Sequence, residues 1–191
     1  PKAAEVFLSL GDIVMSQVKP DEYPTYAQIS EARESYSQVR KISTDIEVVS
    51  DATFNEGGVL EAVVDKPDGL IDHYYTFDKN NDELLQASEF QELNPLGGSA
   101  FSDHDLNDDK ALDFGELAEL AIHSSYSQIE TLFKEYNDQY ALEDGARISQ
   151  ATEKIGFACE KQGRPSEMLE MYFSDIKKFG NDPNRVGVDD I

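Results

Sequence analysis

Apolar residues along this chain recur every three or four positions, the period of a helix with one face turned inward. In AAEVFLSLGDIVMSQV, residues 3 to 18, Val6, Phe7, Leu10, Val14 and Val18 fall on one stripe, and SSYSQIETLFKEY does the same with Tyr126, Ile129, Leu132, Phe133 and Tyr136. A third segment, PSEMLEMYFSDIKKFG, opens on Pro165 and Ser166, carries Leu169, Tyr172, Phe173 and Ile176 on its apolar side and stops at Gly180. VRKISTDIEVV, residues 39 to 49, is rich in β-branched residues, but its apolar positions also fit a helix and its neighbours are helical. The pattern predicts an all-α chain. Breakers at Lys19 to Pro24, Asn55 to Gly58, Lys66 to Gly69, Asn94 to Gly98 and Gly163 to Pro165 predict short turns between helices, with no long interdomain tether.

Charge changes the picture. Sixteen basic residues against 39 acidic ones leave a formal charge of −23 across 191 residues. Such a surface repels nucleic acid and anionic membranes and attracts cations. No apolar run approaches the ~18 residues a membrane span needs. The single cysteine, Cys159, excludes an internal disulfide framework and reads as a small buried hydrophobe. Compartment stays open, with cytoplasmic placed ahead of secreted or lumenal.

The acidic residues are not spread evenly. In TFDKNNDELLQASEF, residues 76 to 90, counting from Asp78 as position 1 puts Asn80 at 3, Asp82 at 5, the Leu84 carbonyl at 7, Gln86 at 9 and Glu89 at 12. Alternate side chains on a tight turn, closed by a carboxylate that supplies two oxygens, are what a hard divalent ion seeking six to eight oxygens requires. Twenty-seven residues further on the pattern repeats, with Asp105, Asn107, Asp109, the Ala111 carbonyl, Asp113 and Glu116. The flanks repeat as well. Leu70, Tyr74 and Phe77 precede the first loop, and Phe90 and Leu93 follow it. Phe101 precedes the second, and Leu117 and Leu120 follow. Leu85 and Leu112 hold position 8 of their loops, where a short β-bridge to a partner loop would form.

Over residues 70 to 121 this resembles the EF-hand superfamily, and the resemblance implies helix-loop-helix units that bind Ca²⁺ at two sites. One departure stands out. Position 6, where glycine serves a positive φ, holds Glu83 and Lys110, which predicts weakened but not abolished binding. Three carboxylates in the first set of ligands against four in the second predict that the second site is the tighter. Because such units usually pair, worn copies are expected near 22–33, where Arg33 stands at the closing position, near 141–152, with Ile148 at position 8 and Thr152 at 12, and near 179–190, with Pro183 inside the loop. Two layouts fit: the good loops pair with each other, or each pairs with a worn partner. The second is preferred and gives two packed lobes of four or more hands, 1–95 and 96–191.

The functional expectation is a non-catalytic calcium-binding protein, a buffer or a module that calcium stabilises. The alternative is a sensor that binds a protein target when loaded. Sensors often line the target groove with methionine, and this chain has three, at 15, 168 and 171. Catalysis finds no support, since His73, His104 and His123 lack a partner motif and GGSAF at 97 to 101 lacks the second glycine of a nucleophile elbow. The absence of Trp argues against a chromophore-binding photoprotein.

Overall fold

The structure, a computed structural model, describes residues 2–19, 21–93, 100–140 and 145–179. Among these the chain is mostly helical, as the periodicity predicts. α1 (Lys2–Ser16) is followed by α2 (Tyr26–Ile42). There the Thr25 side chain accepts from the Gln28 N–H, and Gln28 reaches back to the Thr25 N–H at 2.9 Å, so two otherwise orphan donors are satisfied. Asp45 caps α3 (Ile46–Asp65) by accepting from the Glu47 N–H at 3.1 Å. Then follow α4 (Asp68–Tyr75), the two-residue strand β1 (Leu85–Gln86), α5 (Ala87–Leu93), a 3₁₀ turn at Phe101–Asp103, β2 (Ala111–Leu112), the long α6 (Phe114–Tyr140), α7 (Gly145–Lys161) and α8 (Pro165–Phe179). Gly163, at φ 73°, makes the turn between the last two.

Two apolar clusters hold these elements together. The first joins α1, α2, the middle of α3, α4, the paired strands and the N-terminal half of α6, with Tyr36, Leu70, Tyr74, Leu85, Leu112 and Leu117 all but excluded from solvent. The second joins Leu60 of α3 to the C-terminal half of α6 and to α7, with half-buried Met168 and Met171 of α8 laid against it. α3 and α6 contribute to both, so they form the axis of the fold. All five apolar residues expected inward on α6, from Tyr126 to Tyr136, are buried, as is Cys159.

Four expectations are corrected. The Asn55 to Gly58 breaker lies inside continuous α3, because a Cβ on Gly57 would stand 2.8 Å from the Phe133 ring: the glycine serves close helix packing, not a turn. α1 keeps only part of the expected stripe inward: Val14 is buried and Phe7 packs on the core, but Val6 is 65% and Leu10 37% exposed while Ala4 and Gly11 are buried in their place. The cause is Tyr36, whose ring would come within 2.5 Å of a Cβ at Gly11, so the helix docks on its small-residue face. α8 likewise leaves Leu169 and Phe173 exposed, because the Tyr172 ring lies against the bare Gly156; the side chain of Ile176 lies outside the described residues. Finally, the two acidic loops pair with each other, across residue 95, instead of each with a worn copy. β1 and β2 run antiparallel with Leu85 opposite Leu112 and Gln86 opposite Ala111. Among the described residues, 22–33 and 145–152 offer no strand. Residues 26–33 belong to capped α2, where Ile29 and Ala32 are buried, and 145–152 belong to α7, where Ile148 is buried and the Thr152 hydroxyl donates to the Ile148 carbonyl at 2.9 Å. Arg33, at the expected closing position, instead bonds buried Glu56 of α3, which also binds Arg40. Residues 141–144 and 180–190 of the candidates at 141–152 and 179–190, and the breaker at 94–98, lie outside the described residues.

Candidate metal centre

The acidic loops owe their shape to their own side chains. Asp78 accepts from the Asn81 N–H at 2.8 Å and the Glu83 N–H at 2.9 Å, Asn80 from the Asp82 N–H at 3.0 Å, and Asp82 from the Leu84 N–H at 3.0 Å. In the second loop Asp105 accepts from the Lys110 N–H at 3.1 Å, Asn107 from the Asp109 N–H at 2.8 Å, and Asp109 from the Ala111 N–H at 2.9 Å. Short polar side chains that bond nearby backbone N–H groups are the usual makers of such turns.

Glu89 and Glu116 close the loops in the same way. Both are buried although charged side chains are seldom so. Glu89 takes the Lys79 N–H on Oε1 at 2.9 Å and the Gln86 N–H on Oε2 at 3.0 Å, while Glu116 takes the Leu106 N–H on Oε1 at 2.8 Å and the Asp113 N–H on Oε2 at 3.0 Å. Each carboxylate therefore spans its loop from position 2 to position 9. Asp113 accepts in turn from the Glu116 N–H at 3.0 Å.

Backbone strain gathers at equivalent points. Among the described residues the non-glycine positions with positive φ are Asn81 (57°), Glu83 (64°), Asp108 (58°) and Lys110 (71°), which are positions 4 and 6 of the two loops. Position 6 was visible in the sequence as a missing glycine. Position 4 was not, because Asn and Asp tolerate the left-handed region well enough to pass unremarked.

The donors offered by both loops are oxygens, from three carboxylates, two amides and the Leu84 carbonyl in one and from four carboxylates, one amide and the Ala111 carbonyl in the other. That set fits a hard divalent cation in kind. The loop carboxylates do not crowd together in threes. The one trio of metal-ligating side chains whose donor atoms lie within 4.8 Å of one another, among the described residues, is Glu130, Cys159 and Glu167. There the Arg164 guanidinium already bonds both Glu130 and Glu167, with Lys134 on Glu130, so the cluster is an ion-pair network between α6 and α8. In the first loop Gln86 and Asn80 donate side-chain N–H groups to Asp82, at 3.0 and 2.9 Å. Loss of solvation pushes the Asp82 carboxyl up, but these bonds and the Leu84 N–H outweigh it and hold it below the ordinary range.

Two histidines that the sequence left isolated meet beside the second loop. His104, at the end of the 3₁₀ turn, is buried, and its ring stands 6.4 Å from that of His123 on α6. Burial first, and then the facing His123, lower its basicity. The Glu119-to-His123 spacing of one helical turn was legible; the fold-back of His104 over it was not. His73 instead stacks on Tyr26, ring centroids 3.5 Å apart. No helix among the described residues is long and apolar enough to cross a membrane.

Comparison with known proteins gives no match, whether to sequence families, to curated proteins or to solved structures.

Proposed function

We propose that residues 78–89 and 105–116 are a pair of EF-hand-like calcium loops, and that the protein is a non-catalytic Ca²⁺ binder, a buffer or a module stabilised by the ion. One observation carries the reading. Two segments twenty-seven residues apart repeat the same five hydrogen bonds at equivalent positions: backbone N–H of residues 5, 6 and 7 to the side chains of 3, 1 and 5, and of residues 2 and 9 to the closing glutamate. A generic acidic surface has no reason to repeat this order.

In this reading Asp78, Asn80, Asp82, the Leu84 carbonyl, Gln86 and Glu89 hold one ion, and Asp105, Asn107, Asp109, the Ala111 carbonyl, Asp113 and Glu116 the other. The backbone N–H groups hold these side chains in place before any ion arrives, which lowers the entropy lost on binding. Like charges 4 Å apart repel by ~1 to 4 kcal/mol across effective dielectric constants of about 80 to 20, and a divalent cation turns that repulsion into attraction. Four carboxylates against three favour the second loop.

Calorimetric titration with Ca²⁺ tests the proposal. Two sites are expected in the unaltered chain and one in each of Glu89→Gln and Glu116→Gln, since the bidentate oxygens are lost. No calcium heat in the unaltered chain would refute it.

A further inference from the structure

We infer that His104, His123 and Glu119 form a metal site of a different kind beside the second loop, suited to a borderline divalent transition ion such as Zn²⁺. Glu119 and His123 are one turn apart on α6 and share a face. The 3₁₀ turn lays His104 and Asp103 over them, and these four residues with Leu106 line a cavity of about 360 Å³. His104 is only 8% exposed, yet its Nε2 has no hydrogen-bond partner. A buried, unsatisfied ring nitrogen is rare in folded proteins and calls for a partner.

The neighbours decide what kind. Two imidazoles flanked by two carboxylates suit zinc, cobalt or nickel, whereas calcium takes oxygen alone. At a Zn–N bond of about 2.0 to 2.1 Å, two imidazoles on one tetrahedral ion stand roughly 5 Å apart between centroids. The observed 6.4 Å, at an interplanar angle of 66°, is therefore about an ångström too long, and the donor atoms of His104, His123 and Glu119 do not all lie within 4.8 Å of one another, so the exposed side chain of His123 would swing inward to close the site. Glu119, also exposed, supplies the third ligand from the same helix face. Asp103, steadied by the Ala100 N–H at 3.2 Å, or a water takes the fourth position.

Position gives the site a consequence. His104 directly precedes Asp105, and Glu119 and His123 follow Glu116 by about one and two turns, so an ion here would tie the two ends of the second loop together. The inference does not depend on calcium binding: its ligands are different residues, and it is read with a different metal.

The test is a Zn²⁺ titration of the whole chain by calorimetry in millimolar Ca²⁺, paralleled by Co²⁺ absorption spectra. One histidine-dependent Zn²⁺ per chain is expected, weakened on the order of 10- to 100-fold in His123→Ala and about tenfold in Glu119→Gln, magnitudes usual for loss of a supporting or ligating group. The visible bands of four-coordinate Co²⁺ should disappear in His123→Ala. Both substituted residues are exposed, so the comparison survives even if His104→Gln fails to fold, with circular dichroism as the check. No zinc uptake, or a loss of less than tenfold in His123→Ala, overturns the site. The calcium reading stands or falls separately, on Glu89 and Glu116.

Discussion

Among the described residues, four other than glycine sit between φ 57° and 71°, and two of them, Glu83 and Lys110, hold position 6 of the proposed calcium loops. A β-carbon in that region costs on the order of 1 kcal/mol, and glycine removes it. Glu83→Gly should therefore tighten Ca²⁺ binding at the first loop by roughly fivefold, and Lys110→Gly should do more at the second because it also removes a cation next to the proposed ligands. Calorimetry on the two variants checks both the gain and its order. The missing glycines were plain in the sequence. The three polar residues beside His104 were plain too, but nothing in their spacing said that they would share a cavity.

Pairing is the decisive event among the elements. Leu85 and Leu112 face each other and are excluded from solvent, so the shape of one loop is felt by the other. Disabling one site should then weaken its partner: Glu116→Gln is expected to lower Ca²⁺ affinity at residues 78–89 by fivefold or more, the low end of usual coupling energies, as read from the remaining binding step. A second junction fastens α6, α7 and α8. Burial pushes the Glu130 carboxyl up, but bonds from Arg164, Lys134 and Gln162 overcome this and bring it from an ordinary 4.5 down to about 2. A carboxyl depressed by folding stabilises the native state above its unfolded pKa, and that contribution fades as pH falls through the folded value. Melting curves of the parent chain and Glu130→Gln should accordingly differ most at neutral pH, converge between pH 4.5 and about 2, and coincide below that.

At the scale of the molecule, −23 charges confined to 191 residues make self-repulsion a standing cost. Without Ca²⁺ the melting temperature should climb with NaCl, because salt screens exposed charges. If the two proposed loops bind as inferred, Ca²⁺ at about 100 times Kd should add roughly 5 kcal/mol, or about 10 to 20 °C for a chain of this size. Differential scanning calorimetry with and without the ion measures it. Binding of an apolar dye sorts buffer from sensor: a large calcium-dependent rise would favour a target groove, and constancy would favour a buffer.

Local chemistry made α1, much of α6, α8 and the two acidic loops legible in the sequence by itself, but not α2 or α7, whose residues read as worn loops. Apolar period, caps, breakers and alternating oxygen donors act within a dozen residues, and each writes its own signature. The tertiary structure decided what depends on which faces meet. Gly11 and Gly57 set helices against Tyr36 and Phe133, so a stripe chosen by period alone was turned on α1, and an apparent breaker became a packing site within α3. β1 pairs with β2, while residues 26–33 and 145–152, expected within worn loops, lie in α2 and α7. Contacts between segments far apart in the chain leave no periodic trace in either one, and only packing brings them together.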